Sequence, residues 1–290
     1  MNNKEIEVYT RLPYSCVVGD NSLSVQQQVI TTLILLNKGY KDAIPFNINM
    51  ILELLNIKKT STNTINNIIN TLQELEEYNL ITYYSNTVLT DIININTINK
   101  NTIIYAKLED EIESFIMLYD ADIYKILEYT KRHKIDKYNL LGIYIYLMSC
   151  INKDENNEDY LLCYPSYERI AGELDIISNT INTYIKTLKE LKIIYYDYAG
   201  FKETSKGKIK NSNMYYCRYK DKNILIDRVR KIGLKEGYIK VNNKSKNISN
   251  QKRSIKMKLN KLNKKEHLTE EEKKLKKELE SNYNKLTKKK

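Results

Sequence analysis

Histidine is nearly missing from the sequence: His133 and His267 are the only two, and they lie far apart. A rolling-circle nickase needs clustered histidines to hold a metal beside a nucleophilic tyrosine, and a tyrosine recombinase needs an Arg/His constellation. Both are excluded on count, despite 25 tyrosines. No Gly-x-x-x-x-Gly-Lys-Ser/Thr loop occurs, which argues against ATP-driven unwinding by this chain. His133 sits within Lys131-Arg132-His133-Lys134 and reads as part of a solvated basic face, and the pairs Asp154-Glu155 and Glu158-Asp159 read as a solvated loop. The expectation is a protein without catalytic residues, metal or cofactor.

The four cysteines (Cys16, Cys150, Cys163, Cys217) stand singly, with no Cys-x-x-Cys pair. That argues against a disulfide framework or a zinc ribbon and for buried, reduced thiols. The apolar runs Thr31–Leu36 and Leu140–Met148 fall short of the roughly 20 residues a spanning helix needs. The first residues, Met1-Asn2-Asn3-Lys4-Glu5, lack the apolar stretch of a secretory signal. A soluble, cytoplasmic chain is expected. Tryptophan is absent, Pro and Gly number 3 and 8, and Asn, Lys, Ile and Tyr abound. An AT-rich genome imposes that bias, so single asparagines and tyrosines are not evidence of function.

Charge is unevenly placed. Residues 240–290 hold 18 Lys/Arg and 6 Asp/Glu, a net of +12 against +11 for the whole chain. Residues 1–239 are therefore close to neutral, and the tail carries the excess. A tail of this kind prefers a polyanion, nucleic acid before an anionic membrane.

In the second half, Pro165-Ser166-Tyr167-Glu168-Arg169-Ile170-Ala171-Gly172-Glu173-Leu174-Asp175-Ile176 reads as a short helix capped by Ser166 and closed by a tight turn. Asp175 occupies the turn position, where Asp tolerates the left-handed conformation. Ser178 is the expected N-cap of a second helix, whose apolar stripe is Ile181, Ile185, Leu188 and Leu191. Its other face carries Asn179, Thr180, Asn182, Thr183, Lys186 and Lys189, rich in donors and without an acid. Ile193–Tyr196 and Asn213–Tyr219 read as strands on either side of a loop. From Phe201 to Lys222 that region carries seven basic and two acidic residues.

The first half repeats this grammar. Ile48–Leu55 reads as the short helix, Asn56 stands where Asp175 stood, and Asn63-Thr64-Ile65 corresponds to Asn179-Thr180-Ile181. Leu72 and Leu75 follow Ile65 at the offsets that Leu188 and Leu191 keep from Ile181. Asn79 supports a left-handed helix end before Leu80–Tyr84. The tip Ser85-Asn86 makes a short, uncharged wing. A helix precedes each copy, Ser24–Leu36 and Lys137–Cys150. Between the copies come a strand at Ile103–Leu108, an acidic stretch and a linking helix, Ile123–Ile135. Thr269 and Glu272 form a capping box in the tail.

The expected fold class is mostly α with small β wings: two winged helix-turn-helix domains in tandem plus a basic C-terminal tail, partly helical or disordered. The domains are read as 1–108 (first winged-helix domain), 109–135 (acidic stretch and linking helix), 136–239 (second winged-helix domain) and 240–290 (basic tail).

Tyr164–Tyr219 resembles the winged-helix domains of plasmid and phage replication initiators and replisome organisers of Gram-positive bacteria. The resemblance is carried by Tyr164–Ala171, by Leu174-Asp175-Ile176-x-Ser178-x-Thr180-Ile181 and by Leu188–Ile194; Lys192 replaces the usual Gly after the second helix. It implies a sequence-specific double-stranded DNA-binding protein that binds origin repeats and recruits host replication proteins. A transcriptional or copy-number regulator using the same contacts, or a protein-interaction adaptor, are the alternatives. The expected DNA-binding residues are Ser178, Asn179, Thr180, Asn182, Thr183, Lys186 and Lys189 on the second helix. Lys202, Lys206, Lys208 and Lys210 are expected in the basic loop, and Asn63, Asn66 and Asn67 in the first copy. Expected partners are duplex DNA, host replication proteins and a second copy in a homodimer, with no membrane.

Overall fold

The computed structural model describes residues 7–19, 22–37, 42–58, 61–109, 114–203, 209–240, 254–260, 262–263 and 269–287. The chain divides into two compact units, Met1–Tyr198 with Asn213–Lys231, and Ala199–Ser212 with Ile232–Lys290.

The first unit is organised around two helices, α1 (Val25–Leu35) and α5 (Lys137–Cys150). Ser24 and Gln27 form a capping box at the start of α1, and Asp136 caps α5 by accepting from the Asn139 N–H. Every residue of α5 from Leu140 to Ser149 is buried. A helix apolar on all sides belongs in a core. The two helices pack together at Gly142, where a Cβ would stand 2.6 Å from Val25 Cγ1. One continuous hydrophobic core runs from Leu12 to Tyr216 through both copies of the repeat.

Around α1 stand β2 (Ile44–Phe46), α2 (Ile48–Leu54), α3 (Thr62–Glu77), β3 (Ile81–Tyr84) and β4 (Ile104–Leu108). Around α5 stand α6 (Tyr167–Leu174), α7 (Ser178–Glu190) and β6 (Ile194–Tyr198), with a returning strand (Met214–Arg218) paired to β6. The local expectations at the turns are met. Asn56 (φ 50°) and Asp175 (φ 49°) are left-handed after α2 and α6, and Asn79 (φ 52°) and Lys192 (φ 56°) after α3 and α7. β5 (Phe115–Tyr119) leads straight into α4 (Asp120–Arg132), which starts and ends three residues ahead of the expected linking helix.

The fold class expected from the sequence is corrected by these sheets. Among the described residues the fold is mixed α/β, about 54% helical with 17% strand, rather than a mostly helical tandem of winged domains. Past Ser85-Asn86 the chain folds back on the β3 strand only as far as one bridge, Tyr84 with Ile92, flanked by the hydrogen bonds Ser85 N–H to Asp91 O (2.9 Å) and Ile93 N–H to Tyr83 O (3.0 Å), rather than as a full wing strand. β3 pairs with β4, beyond the 85–103 loop, and β4 pairs on its other edge with β2, giving the order β2-β4-β3. β1 (Tyr9–Pro13) pairs antiparallel with β5, Tyr9 opposite Tyr119 and Pro13 opposite Phe115. The stretch read as an acidic linker therefore contains a strand, Phe-Ile-Met-Leu-Tyr, with Ile116 and Leu118 buried.

The β1–β5 sheet is locked by charge. The Arg218 guanidinium lies 3.1 Å from the centroid of the Tyr119 ring and donates to Glu7 Oε1 at 2.8 Å, with Asp122 Oδ2 at 3.7 Å. Lys220 also pairs with Glu7. Arg218 is only 11% exposed, and an Arg buried to this degree needs acidic partners to offset its desolvation. These two cations, read from the sequence as part of the basic wing, are instead spent on the body of the first unit.

The second unit contains the hairpin β7 (Phe201–Glu203) with β8 (Ile209–Asn211), Phe201 opposite Asn211. The strand paired to β6 is thus β9 (Met214–Arg218). α8 (Lys222–Glu236) straddles the boundary between the units, and α9 (Glu270–Thr287) ends the described chain. The Thr269–Glu272 capping box forms as expected: the Thr269 N–H donates to Glu272 Oε2 at 3.2 Å, and the Glu272 N–H to Thr269 Oγ1 at 3.3 Å.

Two outcomes are expected. Gly142→Ala forces Val25 aside and should destabilise by about 1–3 kcal/mol in chemical denaturation, with Val25→Ala in the same chain restoring part of the loss. Hydrogen bonding from Arg218 pulls the Glu7 carboxyl from 4.5 down to about 2, against the opposing effect of burial. A lowered folded-state pKa stabilises above the unfolded value and loses that contribution as pH falls from about 4.5 towards 2. Glu7→Gln should therefore be less stable than the parent at pH 7, and the difference should shrink at pH 3.

Candidate nucleic-acid interface

α7 owes its position to a short chain of local choices. Ser166 caps α6 by accepting from the Arg169 N–H at 3.1 Å, and the left-handed Asp175 turns the chain. Ile181, Tyr184, Ile185, Thr187 and Leu188 then bury one face of α7. Its tilt is fixed by two hydrogen bonds. Asn139 Nδ2 of α5 donates to the Tyr184 hydroxyl at 3.4 Å, and the Tyr167 hydroxyl of α6 donates to Asn182 Oδ1 at 3.3 Å.

The opposite face is in solvent. Ser178, Asn179, Thr180, Asn182, Thr183 and Lys186 are all exposed, with no acid until Glu190. Ser178 is not the cap the sequence suggests. Ile177 takes that position with no side-chain cap hydrogen bond, Ser178 is the first helical residue, and the Thr180 hydroxyl donates back to the Ile177 carbonyl at 2.7 Å. The Thr180 N–H donates to the Ile177 carbonyl at 3.0 Å and the turn has no side-chain cap, so the positive end of the helix is left to favour an anion.

The lysines divide. Lys186 is exposed, whereas Lys189 is half-buried and turned inward. Its ammonium donates to the Tyr196 carbonyl at 3.3 Å and lies 4.2 and 4.5 Å from the Tyr196 and Tyr195 ring centroids. In the second unit, Lys202 is held by Glu236 (3.4 Å) and by the Tyr238 ring (4.5 Å), and Lys210 is exposed on β8. Lys206 and Lys208 lie outside the described residues.

In the first copy Asn63, Asn66 and Asn67 are exposed on α3. Counting from Ile65 and Ile181, they stand where Asn179, Asn182 and Thr183 stand on α7. The equivalence then lapses in charge. Asn70 and Gln73 take the places of Lys186 and Lys189, and α3 holds no basic residue from Thr62 to Glu77.

Two residues of the α7 region escape sequence reasoning. Ile177 is 74% exposed beside the polar face, and Tyr167 orients Asn182 from the neighbouring helix. The pattern gives no sign of either, because an apolar residue in a turn normally reads as core and a hydroxyl contact between helices leaves no periodicity. Comparison with protein families, with characterised proteins and with solved structures finds no match to the chain.

Lys192 adopts a left-handed conformation that costs an L-residue about 1–2 kcal/mol relative to Gly. Lys192→Gly should raise stability by roughly 0.5–1 kcal/mol after the entropy gained by the unfolded chain is allowed for. Urea denaturation measures it, and a decrease would show that the Lys192 side chain contributes more than its backbone costs.

Proposed function

We propose that the chain binds double-stranded DNA in a sequence-specific manner through the solvent face of α7, without catalysis. One observation carries the reading: Asn179, Asn182, Thr183 and Lys186 line a single exposed face, beside a helix start with no side-chain cap. Asn can pair two hydrogen bonds with an adenine edge, Thr reaches either base type, and Lys186 neutralises a phosphate. Ile177 offers an apolar surface for a thymine methyl. The tail, net +12, adds affinity that is independent of sequence and sensitive to salt, as does Lys210. A cytoplasmic setting, initiation of plasmid or phage replication and recruitment of host replication proteins complete the proposal. The replication role rests on the resemblance of Tyr164–Tyr219 alone.

A second reading concerns α3. Its face repeats the asparagines of α7 but ends in Glu74 and Glu77 and lacks lysine, so it carries no charge to neutralise a phosphate. That favours a protein on the first copy, a host replication factor or a second copy of this chain, while α7 takes the duplex.

Selection from a random duplex pool should enrich a common motif with the parent chain and none with Asn179→Ala/Thr183→Ala/Lys186→Ala. Equal enrichment by both would remove α7 as the reader, and no retention of any duplex at low ionic strength would remove the DNA reading. Deleting residues 240–290 should weaken binding to all sequences alike and flatten its salt dependence, whose slope is about −0.9 per phosphate neutralised. A loss confined to one sequence would show that the tail reads bases.

A further inference from the structure

The solvent face of α7 holds two asparagines that differ in freedom. Both are exposed, and among the described residues the Asn179 amide has no hydrogen-bond partner. The Asn182 amide is held, because the Tyr167 hydroxyl donates to its Oδ1 at 3.3 Å. Tyr167 is the first residue of α6, half-buried with its ring packed against the core, so its hydroxyl is a fixed post. Burial pushes the phenol above its ordinary value, and at neutral pH it remains a donor.

An amide is planar, with its oxygen and its NH2 group on opposite sides of Cγ. The bond takes one lone pair of Asn182 Oδ1 and turns that atom towards α6. The NH2 group is then the end that faces away from α6, into solvent. The first copy lacks this device. Counting back from the left-handed Asn56 and Asp175, Ile48 stands where Tyr167 stands, and Ile48 is fully buried with no hydroxyl to offer Asn66. The clamp thus occurs beside the helix that carries Lys186 and not beside the one without a cation.

We propose that Tyr167 is a positioning residue for base recognition: by holding Oδ1 of Asn182 on α6 it makes Asn182 a donor, and so selects guanine over cytosine at one position of the duplex. This rests on the DNA reading of α7. Guanine presents two acceptors, N7 and O6, in the major groove, whereas cytosine presents only its N4 donor, which an NH2 group cannot satisfy. An unheld asparagine pairs with adenine by accepting from N6 while donating to N7, and Asn179 keeps that option. A clamped amide also has less rotamer freedom to lose on binding.

The test is selection from a random duplex pool with the full parent chain, Tyr167→Phe, Asn182→Ala and the double variant, each checked for folding by circular dichroism. The parent motif should hold one position at which guanine exceeds cytosine, and Asn182→Ala should abolish that preference. Tyr167→Phe should lower the ratio by about fivefold at that position alone, the worth of one hydrogen bond, with adenine gaining. In the Asn182→Ala background it should change nothing further. A purely structural role for Tyr167 would instead weaken all positions together. The proposal is overturned if Tyr167→Phe blurs every position alike, or if the position lost with Asn182→Ala selects cytosine or adenine, a result that stands even where Tyr167→Phe does not fold. A parent chain that selects no motif removes the DNA reading and this proposal together, whereas a motif untouched by Tyr167→Phe removes this proposal alone.

Discussion

Everything in the first unit is arranged around the contact between α1 and α5. Each helix is the centre of one copy of a repeat, and each is too apolar to face water, so burial of one by the other is what makes two small copies into one core. Gly142 lets the two backbones come close, and Val25 fills the space a larger residue at 142 would need. α2 and α3 pack on α1, and α6 and α7 pack on α5, so the placement of both polar helix faces follows from this one apposition.

The copies share a frame and differ in surface. Each has a short helix closed by a left-handed Asn or Asp, a longer helix with the same apolar offsets, a second left-handed residue and a strand. On that frame α7 presents an exposed lysine and α3 presents none. Charge is the least constrained property of a solvated helix face, because surface substitutions cost little stability. A duplicated scaffold can therefore hold its fold while its two faces drift to different partners.

Much of the local structure was legible because it depends on near neighbours. Asn56, Asn79 and Asp175 are residues that tolerate φ > 0, and the structure puts them there. The start of α5 at Asp136 and the Thr269–Glu272 box follow from side chains that act over three or four residues. The fold class was not legible, because it depends on pairing at long range. β1 and β5 meet across more than half the distance between the repeats' outer ends, and β5 is flanked by acids that disguise a buried strand as a linker. In the candidate interface, residue type showed which side chains are polar but not which are free. Lys189 and Lys202 look like phosphate ligands in sequence and are turned onto tyrosine rings in the structure.

The Glu7–Arg218 pair joins residues 211 positions apart. During synthesis the amino-terminal strand leaves the ribosome long before its cation exists, and even its hydrogen-bonding neighbour Phe115–Tyr119 arrives late. Until then one edge of that strand has no mate, which is the condition under which chains stick to each other or call on chaperones. The opening strand thus waits for partners made much later in the chain, and closing so long a loop slows its docking relative to contacts between near neighbours.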